Sequence, residues 1–159
     1  MRAAVLTISD GVVGGTRDDA SGDLLQELLE ADGYEVVRRA VPDERGEIAA
    51  AIVALASGAA LVLTTGGTGV APRDVTPEAT GAVLEREAPG IAEAIRADSL
   101  SKTPHALLSR GKAGTVGAAL VINLPGSTGG CRDGYAVVRP ALEHALALLA
   151  RQTTEHVQT

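Results

Sequence analysis

The sequence predicts an α/β fold with a mostly parallel central sheet and helices on both of its faces. Three observations carry that expectation. Short apolar runs alternate with stretches whose apolar residues recur at helical spacing. The runs "AALVLTT" and "AALVINL" are apolar with little alternation, as strands covered on both faces are. Turn-forming, often glycine-rich segments follow the apolar runs, at the strand ends where such sheets bind ligands.

Each element follows in order. Ala3–Ser9, "AAVLTIS", is expected as the first buried strand, and "GVVGGTRDDASG" after it as a glycine-rich loop. The next helix sets Leu24, Leu25, Leu28 and Leu29 on one stripe, with Gly33 as its stop. "YEVVRRAV" reads as a second strand closed by Pro42. Asp43 opens a helix with Ile48, Ile52, Val53 and Leu55 on its apolar face, ended by Gly58. "AALVLTT" is the third strand. A glycine loop leads to a helix from Thr76 to about Glu87, and Pro89-Gly90 separates it from a helix carrying Ile91, Ile95 and Leu100. A short helical piece is expected at Ala106–Ser109 and a turn at "GKAGTVG". "AALVINLPG" is the fourth strand, and a helix from about Arg132 to Arg151 buries Val138, Leu142, Ala145, Leu146 and Leu149.

A chain of 159 residues suits one domain, expected here over 1–151 with a polar, frayed tail at 152–159. With no Trp, no Phe and 2 Tyr there is no platform for stacking bases. A net charge of −6 disfavours non-specific binding to nucleic acid or to anionic membranes. Cys131 is the single cysteine, which excludes an intrachain disulfide and a Cys-cluster zinc site. His105, His144 and His156 lack metal-ligand spacing. No signal-peptide pattern and no apolar run of membrane-span length is visible, so a soluble, cytoplasmic protein is expected.

The chemistry should lie at the strand ends. In "TTGGTG", Thr64–Gly69, glycine permits positive φ and close approach of backbone to ligand, and successive N–H groups can form an anion nest. A tight strand-to-helix turn explains the glycines equally well. The loop lacks the Gly-Lys-Ser/Thr ending of a P-loop and the spacing of the dinucleotide fingerprint. In "RDVTPEAT", Thr76 reads as an N-cap ahead of Pro77. Arg73 and Asp74 lie outside that cap: either a solvated ion pair, or a phosphate partner and a ligand for a divalent cation. Asp43 has the same two readings, with the N-cap as default. "INLPGSTGG" repeats the design, and its N–H groups could hold a second anion.

Together, "TTGGTGVAPRDVTPEAT" and the downstream "NLPGS" resemble the molybdenum-cofactor biosynthesis proteins of the Mog/MoaB type. "LTISD", "VPDE", "EREAPGIAEAIRADSL" and "TPHALLSRG" fall in the family's order, so the resemblance covers nearly the whole chain. It implies a three-layer αβα sandwich, commonly a homotrimer. It also implies a nucleotidyltransferase that moves AMP from Mg-ATP to the terminal phosphate of molybdopterin and releases pyrophosphate, ahead of a downstream metal-insertion protein. Carried over, Asp43 and Asp74 become catalytic residues and magnesium ligands, and Ser109 of "LSR" a functional serine. Gly66, Gly67, Thr68 and Gly69 would hold nucleotide or pterin phosphate. Ser9, Asp10, Pro125, Gly126 and Ser127 would line the remaining pocket, with Arg73 and Arg110 as phosphate partners. One departure is visible: Thr128-Gly129-Gly130 stands where the family often has a second proline. The competing readings are a non-catalytic molybdopterin carrier and a nucleotide-processing domain of the competence-damage type.

Overall fold

The computed structural model describes the backbone of residues 1–155 and the side chains of residues 1–151. Its order is β1 (Arg2–Ile8), α1 (Asp10–Val13), α2 (Ala20–Ala31), β2 (Glu35–Val41), α3 (Arg45–Ala56), β3 (Leu61–Thr65) and α4 (Thr76–Val83). Then come β4 (Arg86–Glu87), α5 (Pro89–Leu100), a 3₁₀ turn (Pro104–Leu108), β5 (Ala113–Val116), β6 (Ala119–Leu124) and α6 (Thr128–Glu155). The six strands form one sheet in the order β2-β1-β3-β6-β5-β4. β2, β1, β3 and β6 run parallel, while β5 and β4 are antiparallel additions at one edge.

The strands alternate their side chains between two cores. Val5, Leu61, Leu63 and Ile122 face Leu25 and Leu29 of α2, Ile95 of α5 and Leu142 of α6. Leu6, Ile8, Val62 and Val121 face Ile48 and Ile52 of α3 and Ala79 of α4. This is the expected αβα sandwich. Each fully buried Leu or Ile contributes about 1.5–3 kcal/mol, so the central strands are fixed and the loops at their carboxyl ends are held in place.

The expected helix to Glu87 is corrected: it stops at Val83, because the next backbone joins the sheet. Glu85 N–H donates to Thr115 O (2.8 Å) and Ala88 N–H to Ala113 O (2.8 Å). The "GKAGTVG" turn is likewise corrected, since its Ala113–Val116 is β5. The actual turn is at Gly117, φ 56°, between Val116 and Ala119, as a two-residue hairpin demands. The last helix begins at Thr128 rather than Arg132, because Ser127 Oγ accepts the Gly130 N–H (3.1 Å) and caps its first turn. Of the expected tail, residues 152–155 continue α6, and residues 156–159, His156 among them, lie outside the described residues. Among the described residues no helix is long and apolar enough to cross a membrane.

Asn123 of β6 ties together the end of β3, helix α4 and the start of β5. It is buried; its amide donates to Thr64 Oγ1 (2.9 Å) and Thr80 Oγ1 (3.0 Å), and its Oδ1 accepts Lys112 N–H (3.0 Å). Asn123→Ala removes this partner from two buried hydroxyls and a part-buried backbone donor, and urea unfolding is expected to show a loss of about 2–4 kcal/mol.

Candidate functional site

Four loops meet above the carboxyl ends of the parallel strands. After β1, Ser9 caps α1, its Oγ accepting Val12 N–H (3.2 Å). After β2 comes Asp43, which is not the cap of α3 as expected; that position is Glu44, with no side-chain capping bond. Asp43 is instead occupied across the sheet. Its Oδ2 accepts Asp10 N–H (2.9 Å), and Asp10 Oδ1 accepts Asp43 N–H (3.0 Å). This reciprocal pair joins the β1 and β2 loops.

After β3 the glycine loop turns with positive φ, 103° at Gly66 and 67° at Gly67. A methyl on Gly66 would collide with the Ile8 carbonyl oxygen. One on Gly67 would collide with Thr76 Oγ1 and lie 3.2 Å from Asp43 Oδ1. Thr76 is not the cap of α4 either: it is the first helical residue after Val75, and its hydroxyl donates to Gly66 O (2.9 Å). Asp74 closes a turn by accepting Ala71 N–H on Oδ2 (3.0 Å). The same oxygen would be 2.8 Å from a methyl on Gly69. The glycines therefore make room for two carboxylates as well as for backbone.

The loops enclose two clefts with a shared wall. The first, about 460 Å³, is polar and lined by Ser9, Asp43, Thr65, Gly66, Gly67 and Asp74 among others. The second, about 350 Å³, is lined by Thr68, Gly69, Ile95, Leu108, Ser109 and Pro125 among others. Gly126 lies on the first and Ser127 on both. Ser109, at the end of the 3₁₀ turn, lines the second cleft.

Asp10, Arg73 and Arg110 line neither cleft. Arg73 grips Asp10 through Nε (2.7 Å) and Nη2 (3.2 Å), and its Nη2 also donates to Asp43 O (3.2 Å) and Glu44 Oε1 (2.9 Å). Arg110 donates from Nε to Gly69 O (2.8 Å), from Nη2 to Asp74 O (2.7 Å), and from Nη1 to Glu78. Both arginines thus hold loops in place: Arg73 behind Asp43, Arg110 behind Asp74.

The electrostatics follow from these contacts. The Arg73 hydrogen bond, helped by the Asp43 N–H, holds the Asp10 carboxyl below its ordinary range. Burial pushes the Asp43 carboxyl up; the Asp10 N–H opposes this, and the charges of Asp10 and Asp74 add to it. Among the described residues no group of three or more His, Cys, Asp or Glu is arranged to hold a metal. Magnesium needs less from protein: one or two carboxylates, with phosphate and water completing its shell. Asp43 and Asp74, two carboxylates on the same cleft, fit that requirement.

The glycine-rich loop after β1 was expected, but none of its residues was expected in the site. Arg17, Asp18, Asp19 and Ser21 also line the first cleft. Asp19 Oδ1 accepts Gly22 N–H (3.1 Å) to cap α2, takes the Thr7 hydroxyl, and pairs with Arg38. The available signal was a polar run directly after a buried strand's carboxyl end. In the second cleft Lys102, Thr103 and His105 were also missed; they follow α5 rather than a strand, so no strand end marked them.

Comparison with known proteins places this geometry. Residues 4–144 match the family described as "Probable molybdopterin binding domain". The chain is 39% identical over 150 residues to a molybdopterin adenylyltransferase of Helicobacter pylori, covering 91% of this chain and 85% of that one. It is 38% identical over 150 residues to a molybdenum cofactor biosynthesis bifunctional protein of Chlorobaculum tepidum, covering 93% of this chain and 48% of that one. The crystal structure of the molybdopterin biosynthesis enzyme MoaB from Thermus thermophilus superposes with a TM-score of 0.87 at 46% identity, covering 93% of this chain and 95% of that one. Several curated relatives are longer proteins, of which the chain spans between 22% and 48%.

Proposed function

Since the chain belongs to this molybdopterin-binding family, we propose that it is a molybdopterin adenylyltransferase that transfers AMP from ATP to the terminal phosphate of molybdopterin. The observation that carries the reading is the pair of clefts meeting at Ser127, with Asp43 and Asp74 on one of them. A transfer between two bound substrates needs adjoining sites, and alignment supplies a large share of the rate. In the reaction a phosphate oxygen of molybdopterin attacks the α-phosphorus of ATP. The bond to the bridging oxygen breaks, and pyrophosphate leaves with the electron pair. The attacking phosphate is already ionised, so neither a protein nucleophile nor a strong base is required.

The glycine loop would direct backbone N–H groups at phosphate, and Ser127 and Ser109 would orient the substrates from the shared wall and the second cleft. Asp43 and Asp74 would hold magnesium, which when bound neutralises charge on the phosphate oxygens. The reading includes a cytoplasmic homotrimer that hands its product to a metal-insertion protein. An apolar groove of about 180 Å³, lined by Ile91, Ala94, Val137 and Ala141 among others, supports self-association. The test is to incubate the protein with molybdopterin, ATP and magnesium and to look for adenylylated molybdopterin. That product is expected, and its absence overturns the reading.

A carrier that binds molybdopterin without turnover has one observation in its favour: Arg73 and Arg110 are engaged in ion pairs rather than free for a triphosphate. Calorimetry separates the two, since the carrier binds the pterin but not Mg-ATP.

A further inference from the structure

With Arg73 and Arg110 committed to the loops, the positive charge for a bound phosphate has to come from elsewhere. The first cleft is lined by Asp18, Asp19, Asp43 and Asp74, and Arg17 is the only Lys or Arg among its lining residues. Arg38, nearby, is taken up by Asp19 and Asp23. The Arg17 guanidinium makes no ion pair or hydrogen bond among the described residues, whereas its backbone is fixed. Gly15, φ 75°, reverses the chain, so that Thr16 N–H (2.9 Å) and Arg17 N–H (3.1 Å) both donate to Gly11 O. A methyl on Gly11 would lie 3.1 Å from Arg17 Cβ, so the side chain starts out across that glycine. Gly11 belongs to α1, whose first N–H, that of Asp10, is bonded to Asp43. Arg17 and the Asp43 carboxylate are thus tied to one another through the backbone of Gly11 and Asp10.

We propose that Arg17 is a substrate-binding residue that contacts a phosphate of the substrate held in the polar cleft. A guanidinium can meet two phosphate oxygens at once, in the geometry that makes such contacts strong. In a cleft whose other charged lining residues are all carboxylates, it is the protein's own counter-charge to an incoming phosphate, beside whatever cation Asp43 and Asp74 hold. The assignment rests on the adenylyltransferase reading for which substrate carries that phosphate, but the contact itself can be measured without turnover.

The experiment uses the full chain and its Arg17→Ala and Arg17→Lys variants. Calorimetry with magnesium pyrophosphate as probe is expected to show binding to the unaltered chain, weakened about tenfold or more in Arg17→Ala. Arg17→Lys should fall between, because a point charge keeps the attraction but loses the fork. Melting temperatures should be equal, since Arg17 is exposed. In the transfer assay Arg17→Ala should raise one KM far more than it lowers kcat. A rise for ATP assigns the contact to the nucleotide, and a rise for molybdopterin assigns it to the pterin phosphate. Unchanged pyrophosphate affinity in Arg17→Ala, or no pyrophosphate binding by the unaltered chain, overturns the proposal. Arg17-dependent binding without AMP transfer leaves this contact standing and removes the adenylyltransferase reading instead.

Discussion

Asp43→Asn is expected to lower AMP transfer by about a hundredfold or more while raising the melting temperature at neutral pH. Both effects have one origin. Burial, with the charges of Asp10 and Asp74, raises the Asp43 carboxyl above its ordinary value of 3.8. The folded chain therefore holds that proton more tightly than the unfolded chain does. The stabilisation from this difference is fully present below 3.8 and is lost as pH rises through the folded-state value. At neutral pH the ionised Asp43 opposes folding. Asparagine keeps an oxygen for the Asp10 N–H and carries no charge, so the fold gains what the site loses. Melting curves from neutral to acid pH should show the variant's advantage shrink and vanish towards acid. A variant that stays active, or is less stable at neutral pH, contradicts this account of Asp43.

The second large effect separates two neighbouring glycines. Gly66→Ala sets a methyl against the backbone carbonyl of Ile8, in a strand buried on both faces, at a φ of 103° that alanine rarely adopts. A rigid strand cannot yield, so the cost is expected at about 2–4 kcal/mol of folding stability. Gly67→Ala meets side chains instead, Thr76 Oγ1 and Asp43 Oδ1, at a φ of 67°. Its conformational cost is about 1–2 kcal/mol; the larger displacement falls on the Thr76 hydroxyl and a smaller one on the Asp43 carboxylate, which the site needs in place. Chemical denaturation and steady-state kinetics on both variants should therefore rank them in opposite order. Gly66→Ala should lose more stability, and Gly67→Ala more turnover per folded molecule. Equal stability of Gly66→Ala and the unaltered chain would mean that β1 does not pack against the glycine loop as described.

Much of this was legible in the sequence. Strands β1, β3 and β6 are apolar runs that only a covered sheet accommodates, and the glycine loops after β3 and β6 stand where the clefts are. The antiparallel strands β5 and β4 were not legible. "RE" and "AGTV" carry no apolar alternation, and β4 lies against β5 only because Gly114 has no side chain to meet Arg86 O. Asp43 and Thr76 have the chemistry and position of helix caps, but a long-range partner outcompeted the local one in each case. The partners of Arg73 and Arg110 were hidden for a related reason. Each arginine sits beside a loop suited to phosphate, yet Arg73 pairs with an aspartate 63 residues away and Arg110 with a carbonyl 41 residues away. Local sequence shows which groups are available, whereas the packing of the sheet decides which partner each one meets.

The claim that two adjoining clefts bring ATP and molybdopterin together is tested most directly by pyrophosphate release. With ATP and magnesium alone the protein should release none. On addition of molybdopterin it should release one pyrophosphate for each adenylylated pterin formed. Release without the pterin, or pterin binding without release, would contradict the account.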